Sequence, residues 1–192
     1  KNGKKAYLVF NAPADIAGTK FLTVSHRGAD SDQRLYLPAL KKTRKISSSG
    51  KDGEFVNSDL YFYDLEERYF EDNSYTFLSD GETLKGKYFA GMTFNKIEMA
   101  PKDQDAPYGK VIAWVNVDND FIYQMQCFDR KDGRLLKTIM FTKVQFIKGV
   151  QIPSQTVVVN HKQGSKTVLT IKDLRVNTGL SDDVFSVKNL ER

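Results

Sequence analysis

The chain has 192 residues, 29 Lys+Arg against 24 Asp+Glu, and a formal net charge of +5. A hydrophobic content of 40% with 12% aromatics supplies a core, which excludes a disordered chain, and no apolar run approaches the roughly 20 residues of a membrane-spanning helix. A single cysteine, Cys127, excludes an intrachain disulfide, a cysteine-based zinc site and an iron–sulfur cluster, and two histidines, His26 and His161, make a histidine-rich metal site unexpected.

From the start, Lys1-Asn2-Gly3-Lys4-Lys5 runs directly into an apolar strand pattern at 5–10. With neither an initiator Met nor a signal peptide ahead of it, the chain reads as processed or trimmed. The dominant period is two, and strands are predicted at 5–10, 20–27, 33–37 and 43–48. One helical signal follows, over 58–67, where Ser58 or Asp59 is positioned to cap a short helix. Further strands are predicted at 75–79, 84–90, 93–99, 109–117, 121–129, 134–147, 151–160 and 166–176. Polar turns at 117–120, 129–133 (with an Asp-Gly) and 162–165 make the part after 109 a meander of long antiparallel strands. A terminal turn is expected at 181–185. With no repeat, low-complexity tract or Pro-rich linker, one β-dominated domain over 1–192 is the expectation.

Charge is laid down in blocks. Residues 1–51 carry 11 basic and 3 acidic side chains, and 52–83 carry Arg68 against 10 acidic ones. A basic patch for nucleic acid or headgroups is one reading. Local neutralisation of one block by the other is the favoured one, because no nucleic-acid-binding signature accompanies the stretch 41–45. The acidic cluster Asp59, Asp64, Glu66, Glu67, Glu71 and Asp72 matches no calcium-loop spacing and reads as a solvated or salt-bridged face.

Several strands are apolar on both faces. In 111–117, Val111, Ala113, Val115 and Val117 oppose Ile112 and Trp114; in 135–147, Leu136, Met140, Val144 and Phe146 oppose Leu135, Ile139, Phe141 and Ile147. Such a sheet needs cover on both sides, either from a second layer or from a cavity lining on one of them. Catalytic motifs are missing: there is no nucleophile elbow, phosphate loop, dinucleotide fingerprint or zinc-protease helix. Cys127 sits in a strand pattern, sharing a face with Tyr123 and Met125, and reads as a buried structural thiol. Either histidine could act as a base, yet neither has a nucleophile beside it in sequence. No catalytic residue, metal or cofactor is therefore expected. Surplus apolar surface on a β scaffold without catalytic groups points to an apolar ligand.

Two segments carry a family resemblance: Asp32-Gln33-Arg34-Leu35-Tyr36-Leu37-Pro38-Ala39-Leu40-Lys41-Lys42-Thr43-Arg44-Lys45-Ile46, and Gly53-Glu54-Phe55-Val56-Asn57-Ser58-Asp59-Leu60-Tyr61-Phe62-Tyr63-Asp64-Leu65. Together they resemble the pattern L-Y-L-P-A-L-x-K-x-R-R-I followed by G-S-F-M-G-S-D-F-S-Y-E-D-L. That pattern belongs to the outer-membrane lipoprotein-sorting protein family of the LolA/LolB-like superfamily. Segments 13–22, 108–115, 180–185 and 190–192 agree. Val56-Asn57 stands where the family favours Met-Gly.

The resemblance implies a curved antiparallel sheet forming an incomplete, half-open β-barrel, with a few short helices covering its concave side. It implies a periplasmic, non-catalytic protein that binds a lipid or the acyl chains of a lipoprotein, with an inner-membrane exporter or outer-membrane receptor as possible partner and no nucleic acid. The alternative is an accessory interaction module docking on a resistance–nodulation–division-type exporter. The resemblance also implies an N-terminal helix and first strand ahead of 5–10, which are expected to be absent from this chain. Candidate cavity-lining residues, chosen from the two-faced strands, are Trp114, Tyr123, Met125, Met140 and Phe141. The motif places Leu37, Pro38, Lys42, Arg44, Ser58, Asp59, Tyr63 and Asp64 at the cavity mouth. There Arg44 or Lys42 is expected to pair with Asp59 or Asp64.

Overall fold

The computed structural model describes residues 4–192; Lys1, Asn2 and Gly3, the start of the basic lead-in, lie outside them. The chain divides into two compact units, Lys1–Tyr69 with Thr178–Arg192, and Phe70–Asn177. The mainly β, antiparallel class is borne out. The strands form two sheets, neither of which closes into a barrel, with a few short helical turns.

The first unit is built on a sheet in the order β1 (Lys5–Val9), β2 (Lys20–His26), β3 (Ala29–Leu37) and β4 (Lys42–Lys45), all antiparallel. Alternation along β2 sends Phe21 and Thr23 to one face, beside Leu35 and Gln33 of β3. The 53–65 segment covers that face. Phe55 and Phe62 pack their rings 4.9 and 5.8 Å from Phe21 and 5.5 Å from each other. Leu22 faces the other way, level with Tyr7 of β1. That side receives the C-terminal segment: α1 (Val187–Leu190) packs on β2, Leu190 is fully buried, and the Tyr7 hydroxyl donates to the Asn189 carbonyl at 3.3 Å. Ser186 starts α1 by accepting the Asn189 N–H.

The expected helix over 58–67 shrinks to a 3₁₀ turn, Phe62–Leu65. Its start is not capped by Ser58 or Asp59. The Asp64 carboxylate accepts the Tyr61 N–H at 2.8 Å while the Tyr61 carbonyl accepts the Asp64 N–H. Ser58 is occupied one turn earlier, donating to the Phe55 carbonyl and accepting the Leu60 N–H. Consecutive aromatics explain the shortening. Phe62 and Tyr63 are both buried, and an α-helix would put neighbouring residues on different faces.

The second unit is a seven-stranded antiparallel meander, adjacent strands joined in sequence: β5 (Asn73–Glu82), β6 (Phe94–Pro101), β7 (Tyr108–Asn116), β8 (Ile122–Asp129), β9 (Leu135–Ile147), β10 (Val150–Asn160) and β11 (Ser165–Thr170). The predicted turns close three of its hairpins, with Gly133 supplying a φ of 70° beside the Gly133 N–H to Asp129 carbonyl bond. The strand predicted at 84–90 does not form. β5 pairs directly with β6, and the intervening loop folds through turn bonds, Phe89 N–H to Gly86 and Met92 N–H to Phe89. Gly86 at φ 116° and Gly91 at φ 76° bracket that loop. They let it fold over and drop Phe89, 3% exposed, onto the sheet.

Candidate functional site

The two motif segments meet in the first unit around a cleft of about 530 Å³. Register explains why. Leu35 pairs with Arg44, and alternation adds Leu37 and Ile46 to that face. The floor is completed by Ile16 and by Val56 and Phe62 of the 53–65 segment, and Arg44, Lys45, Asp15 and Glu54 bring charge to the lining. An apolar floor with a few placed polar groups, at this volume, is the ordinary make-up of a small-molecule site.

The 53–65 side is conformationally demanding. Val56 and Asn57 adopt φ of 44° and 54°. A β-branched residue there is a true outlier, and such strain is typically held at binding sites. The family preference for Met-Gly is understandable at these positions, since Gly takes the left-handed region without cost. Asn57→Gly is therefore expected to keep the fold and to raise stability by up to ~1 kcal/mol. Thermal denaturation of the variant checks this; a lowered midpoint would show the Asn57 side chain, 3.5 Å from Asp15, to matter more.

Of the motif residues expected at a cavity mouth, Leu37 and Arg44 line this cleft. Pro38 packs instead against Gly18, where an added Cβ would lie 3.4 Å from the proline ring. Lys42 is exposed on β4. Ser58 and Asp64 build the turns described above. Asp59 is buried, and Tyr63 is buried under the Arg68 guanidinium, 4.0 Å from its ring. The buried cation that ties the segments is Lys51, whose ammonium lies 2.9 Å from Asp30 and 3.4 Å from Glu66. A lysine after a Gly-Ser stretch carries no pattern that would single it out in sequence.

Lys51 also lines a second, polar cleft of about 620 Å³ with His26, Asp30, Asp32 and Ser48. Burial pulls the Lys51 ammonium down, but the hydrogen bond to Asp30 and the charges of Glu66 and Asp30 outweigh it and hold it above its ordinary value. Burial pushes the Glu66 carboxyl up against the pull of Lys51. The Ser48 hydroxyl and the Lys51 ammonium hold the Asp30 carboxylate below the usual range.

The candidate cavity-lining residues of the second unit fall into different places. Trp114, Tyr123 and Met140 come together with Phe89 and Phe94 under the 84–92 loop. Tyr123 joins them because Trp114 pairs with Gln124 while Val115 pairs with Ile122, an irregularity that leaves Tyr123 unpaired. Met125 pairs with Ala113 on the opposite face, with Ile139 and Val158. The expected shared face of Tyr123 with Met125 and Cys127 is thus broken by the irregularity. Cys127 itself is 2% exposed, as a structural thiol should be. Phe141 packs its ring 5.7 Å from that of Phe121.

His26 belongs to the first unit and His161 to the second. His161 lies in a cleft of about 320 Å³ with Asp129 and Asp132, and its Nε2 is 2.8 Å from the Thr138 hydroxyl. Among the described residues no group of three or more His, Cys, Asp or Glu is arranged to hold a metal ion.

No curated protein matches the sequence. A family described only as "Uncharacterized protein"-like matches residues 2–192. Among solved structures, an outer membrane lipoprotein-sorting protein domain from Vibrio parahaemolyticus superposes with a TM-score of 0.90 at 33% identity, over 100% of this chain and 79% of that one. A DUF1329 family protein from Desulfovibrio piger gives 0.90 at 31% identity, over 99% and 78%. A LolA superfamily protein from Nitrosomonas europaea gives 0.72 at 21% identity, over 97% and 78%, a likeness of fold. No catalytic family is indicated. With a sequence likeness above 30% along its whole length and a matching fold, the chain belongs to the outer membrane lipoprotein-sorting protein family.

Proposed function

We propose that the protein is a non-catalytic periplasmic carrier that binds a lipid or the acyl chains of a lipoprotein and works, as one LolA-like domain, in outer-membrane lipoprotein sorting or lipid transport. The observation that carries the reading is the motif cleft: the two segments most typical of the family converge on an apolar floor with charges beside it. Burying an acyl chain on that floor is favourable by roughly 25 cal/mol per Å² of apolar surface. An inner-membrane exporter or outer-membrane receptor would load or unload it.

The test is mass spectrometry of an organic extract of the purified full-length mature protein. The expected result is a stoichiometric lipid that falls at least tenfold in a Leu35→Asp variant. A blank extract, repeated after incubation with membrane lipids, would overturn the carrier reading. A second reading, an accessory module docking on an exporter, draws support from the second unit. There the Trp114, Tyr123 and Met140 cluster is filled by the protein's own Phe89 rather than left open. That reading predicts the blank extract together with capture of the exporter.

A further inference from the structure

Independently of what the motif cleft carries, we infer that the β9–β10 hairpin of the second unit is a membrane-docking ribbon, whose apolar tip seats in the head-group layer of a bilayer containing anionic phospholipid. β9 and β10 are the longest strands of the meander and outrun their neighbours. Pairing of β8 with β9 stops at Gln124↔Met140, and pairing of β11 with β10 stops at Gln155↔Thr170. β9 and β10 stay paired with each other as far as Ile147↔Val150. Val144 still packs on the Trp114 cluster, so the base of the ribbon is anchored. Beyond it the ribbon closes through Lys148 and Gly149 at φ of 48° and 80°, the two left-handed residues of a tight hairpin turn. The Gln151 amide donates to the Asn119 carbonyl at 3.1 Å and fixes the ribbon beside the 117–120 turn.

A ribbon laid on a core is apolar on one face and polar on the other. This tip is apolar on both. Phe146 lies on one face, opposite Gln151, while Ile147 and Val150 face each other on the other side, followed there by Ile152. Phe146 is 72% exposed and Val150 45%. Large apolar side chains grouped at a tip and open to water mark a contact surface. Charge says which kind. Residues 141–153 contain Lys143 and Lys148 and neither Asp nor Glu, and both lysines are exposed. The Lys148 ammonium reaches the Val176 carbonyl at 3.5 Å, which brings the 171–177 segment, with exposed Lys172 and Arg175, alongside. The acids at this end of the sheet, Asp118, Asp120 and Asp173, belong to the neighbouring segments and not to the tip. A ring between two lysines suits the head-group layer: the ring sinks to the acyl boundary and the ammonium groups stay with lipid phosphates. A protein surface covers one face of a ribbon, whereas lipid closes around both. The backbone groups along the ribbon's outer edges keep the tip within the head-group layer, because hydrocarbon offers them no partners.

The experiment is co-sedimentation of the full chain with vesicles of phosphatidylethanolamine and phosphatidylglycerol, against vesicles of phosphatidylcholine alone. Binding is expected to be at least tenfold tighter to the anionic vesicles. Phe146→Ser with Val150→Ser, and separately Lys143→Glu with Lys148→Glu, should each weaken it at least tenfold. The same charge change at Lys131 and Lys162, exposed in the turns at the opposite end of the meander, should weaken it far less. Phe146→Trp places a reporter at the tip: its emission should shift to the blue on the anionic vesicles and be quenched by brominated acyl chains, with the buried Trp114 of the unmodified protein as background. Circular dichroism and the thermal midpoint confirm that the variants are folded. The inference is overturned by failure to sediment with the anionic vesicles, or by equal binding to both kinds. It is overturned equally by a loss as large from the Lys131 and Lys162 variant as from the Lys143 and Lys148 one, or by a Phe146→Trp emission that stays that of a water-exposed indole.

Discussion

Replacing Lys51 by Met is expected to destabilise the protein by about 3–5 kcal/mol, the usual cost of leaving one partner of a buried ion pair alone. For a chain of this size that is a fall in thermal midpoint on the order of 10 °C. The Lys51 side chain is 6% exposed and that of Glu66 8%, so water cannot take over the lost contact. Adding Glu66→Leu to Lys51→Met should restore most of the loss, because an apolar pair of similar volume needs no counter-charge. The deficit should also depend on pH. Burial raises the folded-state pKa of Glu66 above the unfolded carboxylate value of about 4.3. The contribution of that group is therefore fully present below the unfolded value and lost as pH rises through the folded one. Removing Lys51 raises that folded value further, so the variant should sit closer to the unmodified protein at pH 4 than at pH 8. Asp30 acts with the opposite sign: its lowered pKa contributes stability above the unfolded value that is lost on acidification. The Ser48 hydroxyl, which donates to the Asp30 carboxylate, remains in the variant, so part of that contribution persists. Chemical denaturation from pH 4 to pH 8 decides the matter. An unchanged midpoint, or a deficit independent of pH, would mean that Lys51 is not the tie between these segments.

Phe94→Ala should cost a comparable amount, about 3–5 kcal/mol, through the cavity it leaves. Phe94 is fully buried and meets Tyr123 at 5.9 Å and Phe89 at 6.4 Å, both edge-on. Phe89→Ala should cost less, because Phe89 sits on a loop that can settle into the space, whereas Phe94 is anchored in β6. The two differ in a second readout. Trp114 is the chain's one tryptophan and lies 7% exposed in the same cluster. Loss of Phe89 loosens the 84–92 loop, so Trp114 emission should shift to the red and become more accessible to acrylamide, and protease should cut within the loop. Unchanged emission and quenching in folded Phe89→Ala would show that the loop is not what covers Trp114.

The motif cleft was half legible in the sequence. Leu37 and Arg44 could be named because they belong to a recognisable segment. Leu35 and Ile46, in the same segment, went unnamed, although alternation from Leu37 and Arg44 places them on the same face. Ile16, from a turn near the start of the chain, joins the cleft only because β1 and β2 pair and bring that turn beside Leu37. Nothing in the sequence around Lys51 announces a buried ammonium; its burial follows from the path of the 48–53 turns, which place it against Asp30 and Glu66.

Period-two alternation, turn residues and composition were enough by themselves to determine a β-rich antiparallel chain, the strands after 109 and their hairpins. These are properties of consecutive residues, written directly in the order of side chains. The family followed from two contiguous segments for the same reason. Only the tertiary structure decided which apolar face is covered, and by what. The 84–90 segment alternates like a strand, yet two glycines at positive φ turn it into the loop that carries Phe89. Tyr123 changes face through one irregularity of pairing with β7. Register and loop path depend on residues far apart in the chain, and a slip of one residue exchanges every inward side chain for an outward one. That is why the composition of the core could be read from the sequence while the walls of the site could not.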